Sequence, residues 1–249
     1  MKKILLLLAL CASFSLRAEP VTITVSAAIS LKAPLETLQT GFEKANPGTK
    51  VIYNFGSSGS LEQQIVNGAP VDVFISAAAR QMDALEAAGG ILPDSRFVLL
   101  GNTLVLIAPA GTKAPTGFGD LTSVRTLAIG EPQSVPAGMY AMEVLTHLRL
   151  AEAVRERLVY AKDVRQVLIY VESGNADAGI VYGSDAASSK AVRIVATAPE
   201  ASHQKIEYPA AIVKASPHAA EATRFLEFLR SQEAAAVFKS AGFSVSSVP

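Results

Sequence analysis

The sequence predicts a two-lobed α/β fold, each lobe a mostly parallel sheet flanked by helices. Three observations lead there. Strand-like and helix-like patterns alternate along the chain, and that order calls for parallel strands joined by crossover helices. The length, 249 residues, exceeds the roughly 100–150 residues that one hydrophobic core usually serves. Two apolar, strand-like stretches, 97–109 and 206–214, are placed to carry the chain out of one lobe and back.

The elements follow in order. Residues 1–18 read as a secretory signal peptide, with Lys2 and Lys3 as the charged start, Ile4–Leu10 as the apolar run and Leu16-Arg17-Ala18 as the cleavage site. The run is too short to span a bilayer. Cys11 raises a lipoprotein alternative, disfavoured because Leu10 stands where such signals have a small residue. Val21–Val25 is a strand, and Leu31, Leu35, Leu38, Phe42 and Ala45 then recur at helical spacing until Asn46-Pro47-Gly48 stops them. Val51–Phe55 is a strand, Leu61–Asn67 a helix, and Val71–Ser76 a strand. A helix holding Met82 and Leu85 ends at Gly89-Gly90. Beyond the crossing, Thr126–Gly130, Ala178–Tyr182 and Arg193–Ala196 are strands, and Pro136–Leu148 and Val164–Ser173 are helices. The C-terminal apolar positions Ala222, Phe225, Leu226 and Leu229, then Ala235 and Phe238, mark helices that return to the first lobe. Lobe 1 is therefore 19–105 with 208–249, and lobe 2 is 106–207. The chain crosses twice, which implies a hinged cleft whose ligand sits at the C-terminal ends of parallel strands.

Composition narrows the function. Without residues 1–18 the chain has 19 basic against 22 acidic residues, no basic tract and no cysteine. That argues against nucleic acid and excludes disulfides and thiol chemistry. A ligand of this protein is recognised locally, not gathered by bulk charge.

Two Ser-rich turns stand where a strand hands over to a helix: Ser26-Ala27-Ala28-Ile29-Ser30-Leu31 and Phe55-Gly56-Ser57-Ser58-Gly59-Ser60-Leu61. A helix N-terminus carries free N–H groups and a partial positive charge, so two such ends on neighbouring strands would bind an anion without lysine or arginine. Singly, Ser30 is an ordinary N-cap and Ser57-Ser58-Gly59-Ser60 an ordinary Gly/Ser loop; their coincidence in one lobe points to a shared site. In the second lobe, Pro136 opens a helix and leaves the Ala137 N–H as a donor. Asp163 caps another and exposes the Val164 N–H. Tyr182 ends a strand beside Gly183 and presents a hydroxyl.

Catalytic readings fail on residues. A serine hydrolase using Ser58 would need a glycine two positions on, where Ser60 stands, and a general base, yet His147, His203 and His218 all lie far from the Ser motifs. No His pair has zinc spacing, so no metal is expected to be ligated directly and no cofactor is expected.

Together with Gly68-Ala69-Pro70-Val71-Asp72-Val73-Phe74-Ile75-Ser76-Ala77, Val135-Pro136-Ala137-Gly138, Asp163-Val164-Arg165 and Gly179-Ile180-Val181-Tyr182-Gly183-Ser184-Asp185, these turns make the chain resemble the periplasmic molybdate-binding proteins of bacterial ABC importers over its whole mature length. The resemblance implies a type II periplasmic binding protein fold and a monomer in the periplasm that hands molybdate, and tungstate with it, to a membrane permease. It implies Ser30, Ser58, Ala137, Val164 and Tyr182 as the ligand-binding set. The sequence departs from many relatives at Ile29 and Gly59. A receptor for sulfate or another tetrahedral oxyanion is the nearest alternative, because anion size decides between them.

Overall fold

The computed structural model describes residues 19–113 and 115–245; the signal segment expected at 1–18, with Cys11, lies outside them. The first sheet has six strands in the order β11-β4-β10-β3-β1-β2. They are β1 (Val21–Ala28), β2 (Thr49–Gly56), β3 (Val73–Ile75), β4 (Phe97–Gly101), β10 (Glu207–Ile212) and β11 (Ser244–Val245). The second has five in the order β7-β6-β8-β5-β9: β5 (Leu104–Pro109), β6 (Leu127–Gly130), β7 (Leu158–Ala161), β8 (Ala178–Tyr182) and β9 (Val192–Thr197). Both sheets are mixed. The strands that alternate with helices, β1 with β2 and β3, and β6 with β7 and β8, pair in parallel. The crossing strands β4, β5 and β10 pair antiparallel, as they must, since a chain leaving and re-entering a sheet without a crossover helix runs against its neighbours.

The helices are α1 (Lys32–Ala45), α2 (Ser58–Val66), α3 (Ala79–Ala87), α4 (Pro136–His147), α5 (Ala151–Val154), α6 (Val164–Glu172), α7 (Gly183–Ala187), α8 (Ala219–Leu229) and α9 (Gln232–Ser240). The spacing of Leu35, Leu38 and Phe42 gives α1 one buried face. Phe42 meets Phe225 of α8 edge-on at 5.1 Å between ring centroids, so the C-terminal helices do return to the first sheet. β1 is buried on both faces, with Val25 and Ala27 on one and Ser26 on the other, the pattern of a strand covered by helices on each side.

The chain passes between sheets at Asn102-Thr103 and again between β9 and β10. The lobe limits drawn at 105/106 and 207/208 fall inside β5 and inside β10.

Register decides where the site lies. Ala28 pairs with Gly56, and Ala27 with Ile75, so β1, β2 and β3 end level, and the segments that follow them converge on one edge. In the second sheet Gly130 pairs with Ala161, which brings the starts of α4 and α6 together in the same way. The two edges face each other across the crossing strands.

Candidate functional site

One small cavity of about 10 Å³ lies between the facing edges, lined by Ala28, Ile29, Ser30, Gly56, Ser57, Ser58, Ala77, Val135, Pro136, Ala137, Val164 and Tyr182. All five residues singled out from the sequence are on its wall, and no charged residue is. The cavity is far smaller than the roughly 300–1,000 Å³ of an organic-ligand pocket.

The first-lobe wall is built from hydroxyls. Ser57, not Ser58, caps α2: its side chain accepts the Ser60 N–H. Ser58 is thereby the first helical residue, and its N–H has no acceptor within the helix. Its Oγ is fully buried and accepts the Ala77 N–H at 2.9 Å, which leaves its own proton to donate. Ser30 is not the N-cap expected from the sequence. A 3₁₀ turn, Ile29–Leu31, precedes α1, and Leu31 occupies the cap position without a side-chain bond. Ser30 sits inside that tighter turn, and its Oγ lies 3.0 Å from the Tyr208 hydroxyl.

The second-lobe wall is mainly backbone. Pro136 and Ala137 are the first two residues of α4, so the Ala137 N–H has no helical acceptor. The helix reaches this depth because Gly138 lies on Gly130: a Cβ added there would stand 2.0 Å from the Gly130 carbonyl oxygen. Asp163 caps α6 by accepting the Gln166 N–H at 2.8 Å, and Gln166 in return accepts the Lys162 N–H, close to a capping box. That satisfies the turn around Val164 and leaves the Val164 N–H, the first of its helix, facing the cavity wall. Tyr182 ends β8 and starts α7; no tight turn intervenes. Burial raises its hydroxyl well above the usual tyrosine range, so it keeps its proton and remains a donor.

The lobes touch around this cavity. Gly59 donates its N–H to the Ser134 carbonyl at 3.0 Å, and Tyr182 donates to the Ala77 carbonyl at 3.4 Å. The absence of a side chain at 59 makes the first contact possible, because a Cβ would stand 2.6 Å from the Ser134 oxygen. The departure noted at Gly59 is thus a lobe-to-lobe contact, not a lost side-chain donor.

A residue sequence reasoning missed is Asp185, in the first turn of α7. It is buried, and its Oδ2 has no hydrogen-bond partner among the described residues. Burial pushes its carboxyl up to about 7, although Arg165 and the Tyr182 N–H draw it down. It lines a larger groove at the mouth of the site with Ser30, Lys32 and Arg165. The one signal available was an acid three positions after a site tyrosine. Asp72 is structural: it accepts the Thr24 N–H at 2.7 Å and the Ser216 hydroxyl at 2.5 Å.

The family model for bacterial extracellular solute-binding proteins matches residues 23–244. The chain belongs to that family. Its relatives there are binding proteins, not enzymes, which sets aside the serine hydrolase alternative. It is 41% identical over 230 residues to the molybdate-binding protein ModA of Escherichia coli, covering 90% of this chain and 89% of that one. It is 45% identical over 225 residues to YvgL of Bacillus subtilis, named there as a substrate-binding lipoprotein assigned to an ABC transporter, covering 90% and 86%. The periplasmic molybdate-binding protein of Azotobacter vinelandii superposes with a TM-score of 0.81 at 32% identity, covering 90% of this chain and 99% of that one.

Proposed function

We propose that this protein captures molybdate, and tungstate with it, between its lobes and delivers the ion to an ABC permease. Ser30 and Ser58 donate through hydroxyls and free N–H groups, Ala137 and Val164 through backbone N–H, and Tyr182 through its hydroxyl, whose single proton turns to the ion from its long 3.4 Å contact with the Ala77 carbonyl. No metal ligand and no cofactor is involved; the ion is contacted through its oxygens. The protein works as a periplasmic monomer, exported by the signal at 1–18.

The observation that carries this reading is the convergence of five donor positions on one small cavity whose wall holds no charged residue. Molybdate is a dianion that accepts hydrogen bonds and offers none. Each bond to a charged group contributes about 1.5–3 kcal/mol, and the helix N-termini supply positive potential without a mobile cation. Each lobe holds only part of the donor set, so the closed arrangement binds best, and that difference in affinity drives closure.

Thermal melting in the presence of molybdate, tungstate, sulfate and phosphate at equal ionic strength tests the reading. A ligand held only by the folded state at a hundredfold excess over its dissociation constant stabilises by about 2.7 kcal/mol. Molybdate and tungstate are expected to raise the melting temperature and phosphate to leave it unchanged. A larger shift with sulfate would make this a sulfate receptor, and no shift with molybdate would end the assignment.

A further inference from the structure

We infer that Tyr208 and Asn102, neither of which lines the cavity, are positioning residues that fix the direction of the Ser30 hydroxyl, so that Ser30 turns its proton into the cavity. This rests on the molybdate reading above.

A buried hydrogen-bonded network runs from Asn102 through Tyr208 to Ser30. The Asn102 side-chain oxygen accepts the Thr103 N–H at 2.9 Å. A backbone N–H cannot donate to an amide NH₂, so the orientation of the Asn102 amide is set. Its Nδ2 therefore donates, to the Ser184 hydroxyl at 2.9 Å and to the Tyr208 hydroxyl at 3.3 Å. Tyr208 is an acceptor on that side and has one proton left. Two hydroxyls adjoin it, those of Tyr182 and Ser30; the one at close hydrogen-bond distance is Ser30 Oγ, at 3.0 Å. Ser30 then accepts from Tyr208, and its own proton turns onward, into the cavity that it lines. Tyr208 is fully buried, and burial raises its hydroxyl far above the usual range, so the proton that orients Ser30 is always present. Ser58 is arranged alike: its oxygen accepts the Ala77 N–H and its proton is free.

Two consequences follow. Asn102 lies on the first crossing and Tyr208 on β10, where the chain returns, so the segments that join the lobes also set the polarity of a site hydroxyl. With one Ser30 lone pair taken by Tyr208 and the Ser30 proton aimed at the ion, the O–H of a protonated oxyanion meets another donor there, and a buried donor without a partner is costly. Tyr208 thus contributes to discrimination against inorganic phosphate, which carries a proton at neutral pH.

The test is a calorimetric double-mutant cycle on the full mature chain with molybdate, with phosphate as second probe. Tyr208→Phe is expected to weaken molybdate about tenfold, the value of one lost oriented hydrogen bond, and to lower the ratio of molybdate to phosphate affinity. In the Ser30→Ala background, Tyr208→Phe is expected to change molybdate binding by no more than about twofold. A purely structural role for Tyr208 would give the same loss in both backgrounds and an unchanged ratio, and either result overturns the inference. Should Tyr208→Phe fail to fold, Asn102→Ala takes its place in the cycle: without the Nδ2 donor, Tyr208 is free to accept from Ser30 and turn that proton away from the cavity, and no charge is added beside the ion. A loss confined to the background with Ser30 intact is expected there, and an equal loss without Ser30 overturns the inference. A wild-type protein that binds no molybdate overturns the functional reading and this inference together; tight wild-type binding with an additive cycle overturns this inference alone.

Discussion

The two halves of the site are made of different material. The first lobe offers hydroxyls, Ser30 and Ser58, whose protons are directed by neighbours: Tyr208 on one side and the Ala77 N–H on the other. The second lobe offers main-chain N–H groups at Ala137 and Val164, directed by the helices that they begin, with Tyr182 as its one side-chain donor. Side-chain donors can be deleted one at a time. Main-chain donors survive any substitution that leaves the helix start in place, so they fail only when packing moves the helix.

The largest effect is therefore expected from a residue that donates nothing. Gly138→Ala places a methyl group 2.0 Å from the Gly130 carbonyl oxygen, and the neighbours are backbone that cannot turn aside. We expect α4 to be forced off β6, with a stability loss of about 3 kcal/mol or more and no measurable molybdate binding. Gly59→Ala sharpens the contrast. Its Cβ meets Ser134 across the lobes, 2.6 Å from the carbonyl oxygen, and an open protein feels no such clash. Its melting temperature without ligand is expected to stay near wild type while molybdate affinity falls by tenfold or more. Equal destabilisation by both substitutions in denaturant titration would contradict this division between a contact within a lobe and one between lobes.

A middle-sized effect is expected at Asp185, the one buried carboxyl beside the site. Its folded value of about 7 lies above the ordinary 3.8, so the folded state binds more protons than the unfolded one. Its contribution to stability is full below the ordinary value and is lost as pH rises through about 7. The carboxylates held low by hydrogen bonds and ion pairs, Asp120, Asp177 and Glu221 among them, act in the opposite sense and at lower pH. Between about pH 5 and 8, the melting temperature of wild type is expected to fall, while Asp185→Asn stays flat. An identical slope for the two proteins would place the titration elsewhere.

Most of the alternating strands and helices, the crossing strands and the positions of all five wall residues were legible in the sequence, because each depends on local signals: Pro136 at a helix start, Asp163 as a cap, and the glycines and serines of 56–60; the short β7, α5 and β11 were not. Whatever depends on two distant segments was not. Nothing local at Ser30 says that a 3₁₀ turn frees it from capping, or that its partner is Tyr208, 178 residues on. Gly59 reads as a loop glycine until Ser134 is seen against it. Asp185 looks like a first-turn acid, and only its burial under both lobes gives it an unusual carboxyl. The antiparallel pairing of β4, β5 and β10 likewise follows from where the chain re-enters each sheet, which a strand pattern does not encode.

The central claim is that neutral donors, and not cations, hold the ion. Lys32 is half exposed and pairs with Glu36 at 2.6 Å, and Arg165 is exposed with its guanidinium on Ser188; both stand at the groove outside the cavity. The most direct measurement is a calorimetric titration with molybdate of Ser58→Ala beside the double variant Lys32→Gln, Arg165→Gln, at low and high chloride. The expected result is a loss of about 1.5–3 kcal/mol for the deleted hydroxyl and of about 0–1 kcal/mol for the two exposed cations, with little change on adding salt. A loss of several kcal/mol in the double variant, with Ser58→Ala binding as wild type, would mean that a cation holds the anion and would contradict the account.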